Sequence, residues 1–339
     1  KKLIFSVMLY IIIYNIPPTL CIFLDFFLFL KNRINYQASL DFFEPYFLNA
    51  DNSLAGKLYF RELGSYNIPL AIERRFGING ILTHKLQDYD NVTTSLASGI
   101  EYINLREGDE NGIKDLYQKR GINIAERAKE LNGGLFFNIA PGIRLSRLDN
   151  EECPREGLIA QARFTEALGI DHTDRTNGRL SGIVTRYFPV FKKSALSLTA
   201  KGGIKVHGND MPEVMAYRLG GPYTIRGFRV NGVGTGASFL MGSAELTTPI
   251  PLIDKIKYDI FKKMRFAFFL DAGRVFQPTV SSELYDRPLG AISVGVGLRI
   301  PIPGIGPISI DYGLPLTGVG QYGSKSGYFT FGTGYMEGY

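Results

Sequence analysis

Along most of this chain apolar and polar residues alternate with a period of two, the repeat of a strand whose successive side chains point to opposite faces. From Arg265 to Arg274, Phe266, Phe268, Leu270 and Ala272 share one parity, while Arg265, Ala267, Phe269, Asp271 and Gly273 share the other. From Ala291 to Ile300, Ile292, Val294, Val296, Leu298 and Ile300 fall on one face, and Ala291, Ser293, Gly295, Gly297 and Arg299 on the other. Phe239 to Pro249 alternates as well, and Glu245 is its one charge. The same pattern predicts strands over residues 36–49, 54–60, 71–86, 92–105, 134–146, 158–168, 179–190, 195–206, 307–316 and 328–335, roughly thirteen in all.

Two stretches break the rhythm. Residues 107–131 are charged, with helix formers from Gly121 to Leu131, and read as an external loop with a short helix, a poorly patterned strand pair being the rival. Residues 1–35 are apolar almost throughout, divided by Pro17 and Pro18. Their lysine start and apolar run suggest a signal-like or aberrant segment, too short on either side of the prolines for the ~20 residues of a spanning helix. The barrel domain is then expected over residues 36–339, and strands missing from the count would fall in these two stretches.

Composition narrows the class. The chain is 45% hydrophobic, yet its mean hydropathy is +0.00. That combination excludes a bundle of membrane helices and suits an all-β transmembrane antiparallel β-barrel, whose strands are apolar on one face only. The 19 Tyr, 24 Phe and 39 Gly lean the same way, through interfacial aromatics and crowded or bent strand positions. A soluble β-rich domain would need a second sheet to cover the same Phe, Ile, Leu and Val face.

One interruption carries chemistry. Gly220, Gly221 and Pro222 cannot continue a strand, because glycine opens positive φ and proline removes a ladder donor, so a long loop is expected at about residues 207–235. Near its far end stands Arg226, between Ile225 and the Gly227-Phe228 pair. A guanidinium fork can take two carboxylates at once, and Glu245 and Asp271, on polar faces of the two following strands, are the candidates.

Gly220-Gly221-Pro222-Tyr223-Thr224-Ile225-Arg226-Gly227-Phe228, Ser243-Ala244-Glu245-Leu246 and Phe269-Leu270-Asp271-Ala272-Gly273 resemble the barrel of the BamA/TamA superfamily of outer-membrane assembly factors, the bacterial surface antigen family. The resemblance continues through Gly295-Val296-Gly297-Leu298-Arg299, Gly306 to Gly313 and Phe329 to Tyr335. It implies a barrel of about sixteen strands. It also implies a loop folded back into the lumen, with Arg226 gripped by Glu245 and Asp271. The soluble periplasmic POTRA repeats that precede the barrel in that family are not recognisable in this sequence. The implied function is folding and insertion of client outer-membrane proteins through a weak lateral seam between first and last strands. Phe329, Phe331, Gly332, Gly334 and Tyr335 would form the last-strand side of that seam. A polypeptide-translocating pore of the same superfamily, of two-partner secretion or plastid import type, is the alternative, and a passive porin is a third. The implied partners are unfolded β-barrel clients, outer-membrane lipid, and POTRA or lipoprotein components; the implied location is the outer membrane of a bacterium or of a bacterially derived organelle.

Other signals are weak. Gly232-Val233-Gly234-Thr235-Gly236 has the wrong glycine spacing for a phosphate loop and no helix after it. No serine sits in a nucleophile elbow, and His84, His172 and His207 stand without a second ligand at metal spacing. Cys21 and Cys153 are read as free thiols. The net charge of +6 comes from scattered residues, which argues against nucleic acid. No enzyme, metal or cofactor is expected.

Overall fold

The structure, a computed structural model, describes residues 3–13, 20–31, 33–64, 71–87, 89, 91–107, 118–119, 121, 133–151, 153–171, 173–191, 193–208, 211–251, 263–302, 306–320 and 324–333. Among these residues, antiparallel strands dominate. They are β1 (Leu3–Ile13), β2 (Leu20–Lys31), β3 (Arg33–Glu44), β4 (Asn52–Gly64), β5 (Ala71–Lys85), β6 (Val92–Glu107), β7 (Gly134–Leu148), β8 (Gly157–Gly169), β9 (Asn177–Phe191) and β10 (Ser194–His207). Then follow β11 (Tyr217–Leu219), β12 (Gly234–Pro249), β13 (Arg265–Pro278), a short helix α1 (Val280–Leu284), β14 (Gly290–Ile302), β15 (Gly306–Thr317) and β16 (Tyr328–Thr333). Hydrogen-bonded order follows chain order from β1 to β16, except that the short β11 lies off this path and pairs with β12.

The chain divides into two compact units. The first comprises Lys1–Arg144, Ala162–Leu180 and Lys205–Met215; the second comprises Leu145–Gln161, Ser181–Ile204 and Ala216–Tyr339. In the first, β1 to β6 form an antiparallel meander. Phe76 and Ile78 on β5 are more than half exposed, at 51% and 56%, and alternate with the buried Glu73 and the half-buried Arg75. The polar parity is cross-linked: Lys57 pairs with Asp41 at 3.0 Å, Arg61 with Glu73 at 2.9 Å, and the Tyr59 hydroxyl donates to Glu101 at 2.5 Å.

The second unit repeats the alternation on a different set of strands. On β13, Phe266, Phe268 and Leu270 are exposed, whereas Ala267, Phe269 and Asp271 are buried. On β14 the exposed side chains include Ile292 and Val296, opposite the buried Ala291 and Ser293; on β16 they are Phe329 and Phe331, opposite the buried Thr330 and Gly332. A water-soluble sheet would cover such a continuous apolar face, because exposing it forfeits roughly 25 cal/mol per Å². Hydrocarbon removes that penalty, and with it the need for a second layer.

Residues 3–31 depart from the sequence expectation. Where a signal-like segment was expected, β1 and β2 pair from Leu3↔Leu30 to Ile13↔Leu20, and β2 pairs onward with β3. These strands are apolar at both parities, so the two-residue period that marks a strand is absent from their sequence. Most of residues 107–131 lie outside the described residues, as does the side chain of Cys21; Cys153 is a free thiol.

Phe268→Arg puts a charge on the outward apolar face and is expected to lower unfolding stability in liposomes by about 2–4 kcal/mol. Denaturant titration measures it, and wild-type stability would show that this face does not meet lipid.

Candidate functional site

The loop after β10 folds back as a hairpin. Tyr217, Arg218 and Leu219 pair with Gly236, Thr235 and Gly234, and the Val233 amide donates to the Leu219 carbonyl at 3.1 Å. Gly220 and Gly221 have φ of 106° and 110°, the left-handed backbone that their sequence demanded. The tip closes through Gly221 N to Ile225 O at 3.1 Å and Gly220 N to the Thr224 hydroxyl at 2.9 Å. Beneath it Ile225, Phe228, Val233, Tyr217 and Leu219 join Phe239, Met241, Val275 and Ala291 in one buried apolar cluster.

That cluster anchors the tip and delivers Arg226 to the polar parity of β12 to β15. The guanidinium is 1% exposed. Its Nε donates to Asp271 Oδ2 at 2.8 Å and its Nη2 to Asp271 Oδ1 at 2.7 Å, a bidentate pair to which the Arg226 amide adds a third bond at 3.1 Å. Nη2 also donates to Ser243 Oγ at 3.1 Å, and that hydroxyl donates to Asp271 Oδ1 at 2.6 Å. Nη1 binds Glu245, and the guanidinium carbon stands over the Phe269 ring, 3.6 Å from its centroid. Burial works against the charge. The hydrogen bond and charge of Asp271, joined by the charges of Glu245 and Asp311, outweigh it and hold Arg226 above the ordinary arginine range.

Two residues complete the cluster that motif reading passed over. Arg299 on β14 donates to Glu245 at 2.9 and 2.6 Å and to Asp311 on β15 at 2.7 Å. Asp311 Oδ2 stands 3.9 Å from Arg226 Nη1. Two guanidinium groups thus face three carboxylates, and every described strand from β12 to β15 supplies a member. Parity carried the signal: Arg299 shares a face with Gly295 and Gly297, and Asp311 with Ser309 and Gly313.

The loop also touches the last strands. Gly227 has φ of 85°, and a methyl there would come within 2.7 Å of the Gly313 carbonyl carbon; one on Gly313 would come within 2.6 Å of Gly227 Cα. The two backbones meet only because neither carries a side chain. Pro222 and Tyr223 lie beside Gly332, and the Arg229 guanidinium sits 5.3 Å from the Tyr328 ring centroid. Of the other residues expected at the last strand, Phe329 and Phe331 are exposed, whereas Gly334 and Tyr335 lie outside the described residues. A cavity of about 140 Å³ opens beside the cluster, with Arg226, Glu245, Arg299 and Asp311 in its wall, facing Thr185, Tyr187 and Thr199.

Residues 28–336 match the family model described as the Omp85 superfamily domain. Among solved structures the chain is similar to BamA from Haemophilus ducreyi lacking POTRA domains 1–3, with 18% identity and a TM-score of 0.64 over 92% of this chain and 63% of that one. It is also similar to CdiB from Acinetobacter baumannii, with 15% identity and a TM-score of 0.59 over 92% of this chain and 53% of that one. For CdiB from Escherichia coli the identity is 14% and the TM-score 0.58, over 88% of this chain and 53% of that one. The chain therefore spans less than two thirds of the length of each. The likeness establishes the fold, an all-β transmembrane antiparallel barrel.

Arg226→Ala leaves three carboxylates facing one arginine and is expected to lower unfolding stability by about 3–5 kcal/mol, read by denaturant titration in detergent. Arg226→Lys recovers only part, because an ammonium cannot span both Asp271 oxygens. Gly313→Ala should lower it by about 2 kcal/mol through collision with the loop backbone, although the substitution adds one methyl.

Proposed function

The chain belongs to the Omp85 superfamily, and on that premise we propose that it folds and inserts client β-barrel proteins into an outer membrane. The observation that carries this reading is the condition of β16. It ends the hydrogen-bonded path, paired with β15 on one edge, and no second ladder runs along its other edge among the described residues. An unpaired edge presents backbone N–H and C=O groups that an incoming strand can join. The loop braces this strand and its neighbour, through Pro222 and Tyr223 beside Gly332, Arg229 at Tyr328 and Gly227 against Gly313. A template edge must hold its shape while its partner changes, and a loop locked by Arg226 supplies that rigidity. Phe329 and Phe331 face outward, where the strand of a client would bring its own apolar face.

In this reading β1 and β16 flank the seam, Phe329, Phe331, Gly332, Gly334 and Tyr335 form its last-strand side, and unfolded barrel proteins arriving from the periplasm are the substrate. POTRA or lipoprotein components would deliver them. Insertion draws on strand pairing and lipid burial and uses no nucleotide, metal or covalent chemistry. The outer membrane is that of a bacterium or of an organelle of bacterial descent.

A translocating pore is the second reading, favoured by the likeness to CdiB over most of the chain. One experiment separates the two. A disulfide between a cysteine at Phe331 and one in β1 is expected to abolish client insertion into liposomes, measured by protease protection, and reduction should restore it. Full insertion by the cross-linked protein would overturn the proposal. Retained passage of an unfolded polypeptide across the bilayer would favour the pore. Bilayer recordings should show brief small openings, whereas a passive porin conducts steadily.

A further inference from the structure

The loop is held at its root as well as at its tip. Residues 211–215 are buried throughout, with Glu213 at 0% exposure, although they begin a connection between strands, which ordinarily runs over a surface. Glu213–Met215 form a single 3-10 turn, closed by the Met215 amide on the Pro212 carbonyl at 2.8 Å. Two arginines from separate strands reach this turn. Arg75 on β5 donates through Nη2 to the Val214 carbonyl at 3.0 Å, and Arg179 on β9 donates through Nη1 to the Met215 carbonyl at 2.7 Å. Asn177 lies alongside, its side-chain nitrogen 3.7 Å from the Met215 sulfur.

Arg75 is itself aimed. Its Nε bonds Glu73 and its Nη1 bonds Glu101 at 3.2 Å, while Glu73 also holds Arg61 and Glu101 also accepts the Tyr59 hydroxyl. With carboxylates holding Nε and Nη1, the remaining nitrogen, Nη2, points at the loop. The acceptors of these two bonds are backbone carbonyls, and no motif in residues 211–215 announces them. At the root the two arginines reach backbone carbonyls, and at the tip Arg226 stands among carboxylates. Root and tip also fall in different compact units, residues 205–215 with Arg75 and Arg179 in one, Ala216 onward with Asp271 in the other.

We propose that Arg75 and Arg179 are positioning residues that clamp the loop root independently of Arg226, so that the tip can leave its carboxylates while the root stays in place. Release is then confined to the segment beyond β11, and the loop returns to one register because its base never departs. The hydrogen bonds at root and tip share no residue, so either grip can be removed without substituting a member of the other. The inference concerns loop anchorage and stands whether the protein inserts clients or passes polypeptide.

The test uses the full chain in liposomes, with Cys21 and Cys153 replaced by serine and a reporter at Val214→Cys or Ile225→Cys, labelled by a membrane-impermeant maleimide. Folding is checked by heat-modifiable migration. The double variant R75M/R179M is expected to raise Val214→Cys labelling at least tenfold and leave Ile225→Cys protected. R226A is expected to do the reverse. R75K/R179K, which keeps a donor at each site, should restore protection at the root, a rescue that stem packing alone does not predict. Continued protection of Val214→Cys in R75M/R179M, or equal exposure of both reporters by R226A, overturns the proposal. Should R75M/R179M not fold, hydrogen exchange on the unsubstituted protein decides. Amides of residues 213–215 and 224–228 should open with different denaturant dependence, and one shared opening would refute independent clamps.

Discussion

A guanidinium buried to 1% exposure must be surrounded by opposite charge or be destabilising by several kcal/mol, and that requirement at Arg226 organises half of this molecule. Its partners come from different strands. Ser243 and Glu245 lie on β12, Asp271 on β13, Arg299 on β14 and Asp311 on β15, so the charge is satisfied only when those strands keep one register. A slip by one residue would turn the carboxylates toward the apolar side and leave the cation unpaired. The cluster therefore does for β12 to β15 what a packed core does for a soluble sheet: it selects one alignment among several that backbone hydrogen bonding alone would accept.

The two faces of each strand answer to different solvents. Phe266, Phe268, Leu270, Phe329 and Phe331 are exposed because lipid is their environment, and the opposite parity holds charge because its arginines and carboxylates pair with one another. In the second unit the loop thus has two structural effects. It desolvates the ion cluster, which strengthens each pairing, and it brings Gly227, Pro222, Tyr223 and Arg229 against β15 and β16.

Much of this was legible in the sequence. Thirteen strands announce themselves by period two, and Gly220-Gly221-Pro222 marks the loop, because each rests on local backbone chemistry. Arg226, Glu245 and Asp271 were readable as partners from parity and from the family motif, and they meet. What escaped depends on distant structure. β1 and β2 lack polar alternation, so their sequences match a leader as well as a strand. Arg299 and Asp311 sit in runs whose polar face is legible, but only the register of β14 on β15 brings them to Glu245 and Arg226. The root turn at 213–215 is invisible to motif reading because Arg75 and Arg179 bond its backbone carbonyls, which no residue type encodes.

The central claim is that Arg226 and Asp271 act as a unit. A double-mutant cycle joining Arg226→Ala and Asp271→Asn, read by unfolding in liposomes, tests it most directly. The account predicts a coupling energy of about 2–3 kcal/mol, since either single substitution already breaks the pair. Effects that add to within about 0.5 kcal/mol would mean that the two side chains are neighbours without being partners, and would contradict it.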